Sequence, residues 1–138
     1  MADIAAEARG AIAHLLTVYN TSGDRGRIDE MLAVFTPDAT LEVPGATHEG
    51  RDAIGAFMRN VVAGAVGGTD LSGGSRHHLT TSRVEVDGAD SARGWTYFFV
   101  MRRGTVIEEG TYIDQYVRQD GQWLIRRRRV KLAWALAD

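Results

Sequence analysis

Between residues 76 and 136 the chain is rich in Val, Ile, Thr, Tyr, Phe and Trp, and three short glycine turns cut it, at Asp87-Gly88, Arg103-Gly104 and Asp120-Gly121. β-branched and aromatic residues favour strands, and connections this short can join only antiparallel neighbours. The spacing predicts a meander of four strands over about 76 to 87, 91 to 103, 105 to 118 and 122 to 136. Such strands exceed the usual length of about 5–6 residues, and long strands sharing a sheet twist and curve. A curved sheet has a hollow side that something must cover.

The first half of the chain supplies that cover. Ile4, Ala8, Ala11, Ile12, Leu15, Leu16 and Tyr19 recur at helical steps, which predicts an amphipathic helix from residue 3 to about 22, stopped by Ser22-Gly23. Ile28, Met31, Leu32 and Phe35 repeat the pattern on a shorter helix that Thr36-Pro37-Asp38 should end. A short strand is expected over Ala39 to Val43, an extended piece over 47 to 50, and a third helix through Ile54, Phe57, Met58, Val61, Val62 and Ala65. Gly67-Gly68 and Gly73-Gly74 mark a mobile loop after it. Helices first and a meander afterwards is an α+β pattern, with the helices packed on one face and a pocket left in the hollow.

With 138 residues and no change of composition, the chain reads as one domain over 1–138. Folding at this size hides roughly 68–70% of the unfolded surface, enough for a core without disulfides or a structural metal. There are no cysteines, which removes thiolate chemistry and cysteine-rich zinc sites. The acidic, alanine-rich start is unlike a secretory signal, so a cytoplasmic location is expected. No apolar run is long enough for a membrane span, and a net charge of −2 gives no general attraction to nucleic acid. The expected partner is a small lipophilic molecule.

Several short pieces follow one another in a recognisable order: Tyr19-x-x-x-x-Asp24, Met31-Leu32-x-x-Phe35-x-x-Asp38-Ala39, Gly50-Arg51-x-x-Ile54, His77-x-Leu79-Thr80, Val86-Asp87-Gly88, Gly110-x-Tyr112 and Asp120-Gly121-x-Trp123-x-Ile125. Together they resemble the SnoaL-like group of the nuclear-transport-factor-2-like superfamily over nearly the whole chain. The resemblance implies a cone-shaped α+β barrel, with a long curved antiparallel sheet wrapped around three N-terminal helices. It also implies a homodimer or homotrimer. The group includes polyketide cyclases, scytalone dehydratase, a bile-acid dehydratase and hexachlorocyclohexane dehydrochlorinase, and the fold also houses ketosteroid isomerase and proteins without chemistry. Function must therefore come from the site.

Asp24 matches the acidic member of the Asp-His pair in the dehydratase-like relatives, although an aspartate in a Gly-Asp-Arg-Gly turn could also cap the second helix. His77 is similar in placement to the catalytic histidine, and imidazole both takes and returns protons near neutrality. Strict alternation puts His78, not His77, on the face of Val84 and Val86, whereas a bulge around Thr81-Ser82 would turn His77 inward. Tyr19 aligns with a substrate-holding tyrosine, and Arg128 with an arginine that neutralises developing charge or a leaving group. Parity with Trp123 and Ile125 would instead select Arg127 or Arg129, unless the strand is irregular. Tyr112 and Trp95 are expected to line the hollow. Asp114 shares the parity of Tyr112, with an outward position as the plainer alternative, and His14 and His48 read as structural or exposed.

The strand Thr96-Tyr97-Phe98-Phe99-Val100 lacks the second ionisable group that the dehydratases carry. Nucleotide-phosphate loops, zinc-ligand spacings and the nucleophile elbow are missing too, so no cofactor and no metal is expected. The leading expectation is a cofactor-independent lyase or isomerase acting through Asp24 and His77. The rival is a non-catalytic carrier or interaction module, in which the apolar tail from Leu132 to Leu136 closes the pocket or forms a subunit contact.

Overall fold

The computed structural model describes residues 3–63 and 74–136. Helix α1 (Ile4–Asp24) starts at Asp3, whose carboxylate accepts from the Ala5 and Ala6 amides, and buries Ala8, Ile12, Leu15, Leu16 and Tyr19. It runs two residues past the expected stop. Ser22 is buried and donates to Glu30, Gly23 lies against Met31, and the left-handed residue that ends the turn is Gly26, with φ +72°. The extension puts Asp24 on α1, four residues and about one turn beyond Asn20.

Helix α2 (Ile28–Leu32) is shorter than the apolar repeat predicts, because Phe35 already belongs to strand β1 (Phe35–Val43). Pro37, expected to end a helix, instead sits exposed within a strand. It falls where the register against the neighbouring strand breaks between Phe35 and Thr40, a place where a missing N–H costs no ladder bond. Strand β2 (Ala46–Glu49) and helix α3 (Arg51–Val62) follow. Arg51 Nε donates to the Phe35 carbonyl at 2.9 Å and ties the start of α3 to β1. Ala65 and the expected mobile glycine loop up to Gly73 lie outside the described residues.

The meander is β3 (Arg76–Val86), β4 (Ser91–Arg102), β5 (Thr105–Gln119) and β6 (Gln122–Ala135). Arg103-Gly104 and Asp120-Gly121 have φ of +50° and +80° and of +51° and +77°, the left-handed pairs of tight hairpin turns whose twist matches that of the strands. One sheet has the order β2-β1-β6-β5-β4-β3. Its pairs are antiparallel except β1 with β6, which run parallel. The class is α+β, as expected, with a curved sheet that stays open.

Alternate residues of the sheet, including Ala92, Phe98, Val100, Tyr112, Tyr116 and Ile125, join the apolar stripe of α1 in the core. Gly110 has its place because a Cβ there would lie 2.5 Å from the Lys131 carbonyl and 2.9 Å from the Phe98 ring. No helix among the described residues is long and apolar enough to cross a membrane.

Candidate active site

The helices leave part of the hollow unfilled. A cavity of about 480 Å³ remains between α1, α2, α3 and the sheet, walled by Ile28, Met31, Phe57, Met58, Phe98 and Leu132 among others. Its polar groups are few, as is usual where placement gives specificity. They include Tyr19, Asn20, His77, Arg102, Glu108 and Tyr112. The C-terminal segment contributes Leu132, Ala135 and Leu136 to the wall, while Trp134 is exposed.

His77 reaches this wall through a bulge. Leu79 pairs with Phe98 and Ser82 with Thr96, so Thr80 and Thr81 together stand opposite the single Tyr97. The extra residue inverts the alternation: His77 and Leu79 share the inner face with Val84, and His78 stacks on Phe99 at 4.8 Å on the other face. Asp24 Oδ1 lies 2.7 Å from His77 Nδ1, and Asp24 Oδ2 accepts the His77 backbone N–H at 3.1 Å. The carboxylate thus holds both the ring and the backbone of one residue. An ionised carboxylate only accepts, so this contact places a hydrogen on Nδ1, and the neutral ring then carries its lone pair on Nε2. Both side chains are largely covered, 9% exposed for Asp24 and 17% for His77. Asp24 therefore does not cap α2; Arg27 holds that position without a side-chain bond.

A second polar cluster lies behind the cavity wall. Arg128 donates to Asp114 through Nε at 2.9 Å and Nη2 at 2.8 Å, and the Tyr116 hydroxyl donates to the same carboxylate at 2.6 Å. The Arg128 guanidinium lies over the rings of both Tyr112, at 4.1 Å, and Tyr19, at 4.3 Å, which meet edge-on with centroids 5.9 Å apart. Parity had pointed to Arg127 or Arg129. In the structure Tyr116 pairs with Ile125 and Gln115 with Arg127, so Arg126 is an extra residue that shifts the alternation and turns Arg128 inward. Arg127 and Arg129 both face Glu42 instead. Asp114, for which an outward position was the plainer expectation, is fully buried as the partner of Arg128.

Burial works against the Arg128 charge, but the Asp114 carboxylate holds the guanidinium above its ordinary range. Burial pushes the phenols of Tyr19 and Tyr112 up, Tyr112 well above its usual value, and the Arg128 charge opposes both shifts. Tyr19 and Tyr112 line the cavity as neutral hydroxyls, and Arg128 lies behind them rather than in the wall. The expectation for Trp95 is corrected: its neighbours Gly94 and Thr96 occupy the inner face of β4, so Trp95 points to the outer one and does not line the cavity. His14 is exposed, and His48 stacks on Phe57 at 4.2 Å.

Glu108 and Asn20 are cavity residues that the sequence reading did not single out. Glu108 stands in the same cross-strand row as His77, since His77 pairs with Val100 and Val100 with Glu108. Burial pushes its carboxyl up, against the influence of His77. Its signal was the alternation Glu108-x-Gly110-x-Tyr112-x-Asp114, which puts all four on one face. Asn20 follows Tyr19 and precedes Asp24 by one turn. Its carbonyl accepts from the Tyr112 hydroxyl at 3.2 Å.

No curated protein matches this sequence. Among solved structures the chain is similar to an NTF2-like protein with a cystatin-like fold from Novosphingobium aromaticivorans, at 26% identity over 92% of this chain and 82% of that one, with a TM-score of 0.80. It shares its fold with hexachlorocyclohexane dehydrochlorinase LinA-type3 from Novosphingobium barchaimii, at 19% identity over 96% and 90% of the two chains and a TM-score of 0.79. The same holds for ActVI-ORFA from Streptomyces coelicolor, at 17% identity over 91% and 97% and a TM-score of 0.77. The SnoaL-like domain model matches residues 5–129, nearly the whole fold just described, and the chain belongs to the SnoaL-like domain family.

Proposed function

We propose that the protein is a cofactor-independent lyase or isomerase that removes a proton from carbon on a small lipophilic ring compound. The observation that carries this reading is the 2.7 Å contact between Asp24 and His77 at the wall of a largely apolar cavity. With Nδ1 committed to Asp24, Nε2 is the base, and the carboxylate stabilises the imidazolium formed when it takes the proton. Glu108, its carboxyl raised by burial, keeps its proton to higher pH than a solvated glutamate does. It delivers that proton to a departing oxygen, so that water leaves as the carbon–carbon double bond forms, or to a second carbon in an isomerisation. Arg128 acts as a positioning residue through the two tyrosine rings it packs against. One structural relative is named for elimination from a ring compound, the same reaction class.

Proton abstraction can be read without knowing the natural substrate, as uptake of deuterium from heavy water at ring carbons. Across a panel of ring ketones, hydroxysteroids and polyphenols, the wild type should exchange at least one compound well above background. His77→Ala and Asp24→Asn should each lower that rate by about 10²–10⁴-fold, the usual contribution of a general base, with the circular-dichroism spectrum unchanged. Full exchange by either variant, or none by the wild type, would sink the reading.

A further inference from the structure

We propose that Glu108 in its acid form recognises the ligand by donating its O–H to an oxygen on the ring, so that the cavity prefers ring ketones to hydrocarbons of the same shape only while Glu108 holds its proton. This rests on the reading of the cavity as a site for a small lipophilic ring compound. Glu108 lies on the inner face of β5 with Gly110 and Tyr112, half-buried, and lines the cavity. Of the carboxylates at or behind this wall, Asp24 is held by His77 and Asp114 by Arg128. Glu108 makes no hydrogen bond or ion pair among the described residues. The Asn20 amide nitrogen is sealed from the cavity, whereas the Glu108 carboxyl is not. A partly buried carboxyl without a protein partner keeps its hydrogen-bonding capacity for what enters the cavity.

The surroundings favour the donating form. Helices α2 and α3, the turn between β1 and β2, and β6 bring no ionisable group to the cavity. Among the described residues, the titratable and charged groups that line it beside Glu108 are Tyr19 on α1, His77 on β3, Arg102 on β4 and Tyr112 on β5. Burial pushes the Glu108 carboxyl up, with His77 opposing the shift. The acid form donates to an oxygen, whereas the ionised form only accepts and repels a carbonyl. His77 and Glu108 stand in one row with Val100 between them, so two strand spacings of about 4.7–4.9 Å separate their backbones. A ring with its oxygen on Glu108 can thus present a carbon to the imidazole. A ketone held by a tyrosine or by Arg102 instead would bind alike from acid to neutral pH. Burial raises both phenols, and a guanidinium keeps its proton. His77 does titrate in that range, and a variant separates it from Glu108.

The test titrates 2-tetralone, whose carbonyl only accepts, and tetralin, its hydrocarbon parent, into the protein by calorimetry or fluorescence. The pH series runs upward from about 5, above the ordinary glutamate pKa of about 4.3. In the wild type the ketone affinity should fall about tenfold or more as pH rises, while the tetralin affinity stays within about twofold. The fall should persist in His77→Ala and vanish in Glu108→Gln, whose amide donates at every pH. Glu108→Leu should bind the two ligands alike. A second measurement uses the unaltered chain: where the affinity falls, ketone binding should take up protons, seen as heat that differs between buffers of unlike ionisation enthalpy. An affinity for the ketone that ignores pH, a fall that survives Glu108→Gln or is lost in His77→Ala, binding without proton uptake, or no binding of the ketone would each overturn the proposal. The two readings fail separately: wild type with this proton-linked ketone binding that exchanges no carbon-bound proton defeats only the catalytic one, and exchange without such binding defeats only this one.

Discussion

Two of the carboxylate–cation-forming pairs among the described residues are largely covered, and they are built to opposite ends. Asp114 and Arg128 are joined by two parallel hydrogen bonds, have no exposed side-chain surface and are closed in by Tyr19, Tyr112 and Tyr116. Asp24 and His77 share one side-chain bond, keep some solvent contact, and leave a ring nitrogen uncommitted beside a cavity. The first pair uses a guanidinium, which never loses its proton at ordinary pH, and the second an imidazole, a ring able both to take and to return a proton. The contrast separates a strut from a tool. A buried pair joined by two hydrogen bonds fixes the surrounding rings, whereas a pair with a ring nitrogen left open to a cavity can move a proton.

The contrast can be broken at either end. The largest expected effect is on the cavity side, where Asp24→Asn and His77→Ala should lose about 10²–10⁴-fold in exchange rate and little stability, as set out above. At the strut, Arg128→Met should cost about 3–5 kcal/mol in urea unfolding, because the Asp114 charge is left buried without its partner. Adding Asp114→Leu to that variant should recover much of the loss; a double variant as unstable as the single one would show that the pair does more than neutralise itself. Gly110→Ala should destabilise by about 1–3 kcal/mol by forcing the Phe98 ring and the Lys131 carbonyl apart, which thermal unfolding would register.

The smallest effect separates Glu108 from both pairs. Burial raises its folded-state pKa, so above the ordinary glutamate range of about 4.3 the folded chain still holds a proton that the unfolded chain has lost. Its contribution to stability therefore falls as pH rises through that window. Glu108→Gln should match the wild type in acid and exceed it by less than about 1 kcal/mol at higher pH, since the side chain is only partly buried. The same variant should lose the alkaline fall in exchange rate that deprotonation of Glu108 causes.

The comparison also explains what could be read from the sequence. Periodicity found the helices and the four-strand meander because a hydrophobic stripe and a glycine turn are local. It could not find the start of β1, because Pro37 speaks for a break and only the irregular register against β6 makes room for it. Nor could alternation choose between His77 and His78, or among the arginines from Arg126 to Arg129. Each choice depends on one extra residue in a ladder, and a ladder needs both strands. Asp114 and Glu108 looked like ordinary strand acids until burial against Arg128 and the cavity distinguished them from exposed neighbours such as Glu109. Asn20 gave no signal alone, since its importance comes from a tyrosine hydroxyl that lies 92 positions away in sequence.

The extra residue at Arg126 has a consequence for how such a chain changes over generations. The inner face of β6 is assigned by counting from the turn at Asp120-Gly121, and the bulge adds one to the count. Deleting that single residue while keeping the turn would close the bulge: Arg127 would follow Ile125 directly, still opposite Gln115, and Arg128 would stay opposite Asp114. The strand can thus lose its one extra residue without any inner side chain changing place. A lineage can shorten β6 here by one codon and keep what lies behind its cavity wall, a tolerance that a strand in strict register does not have.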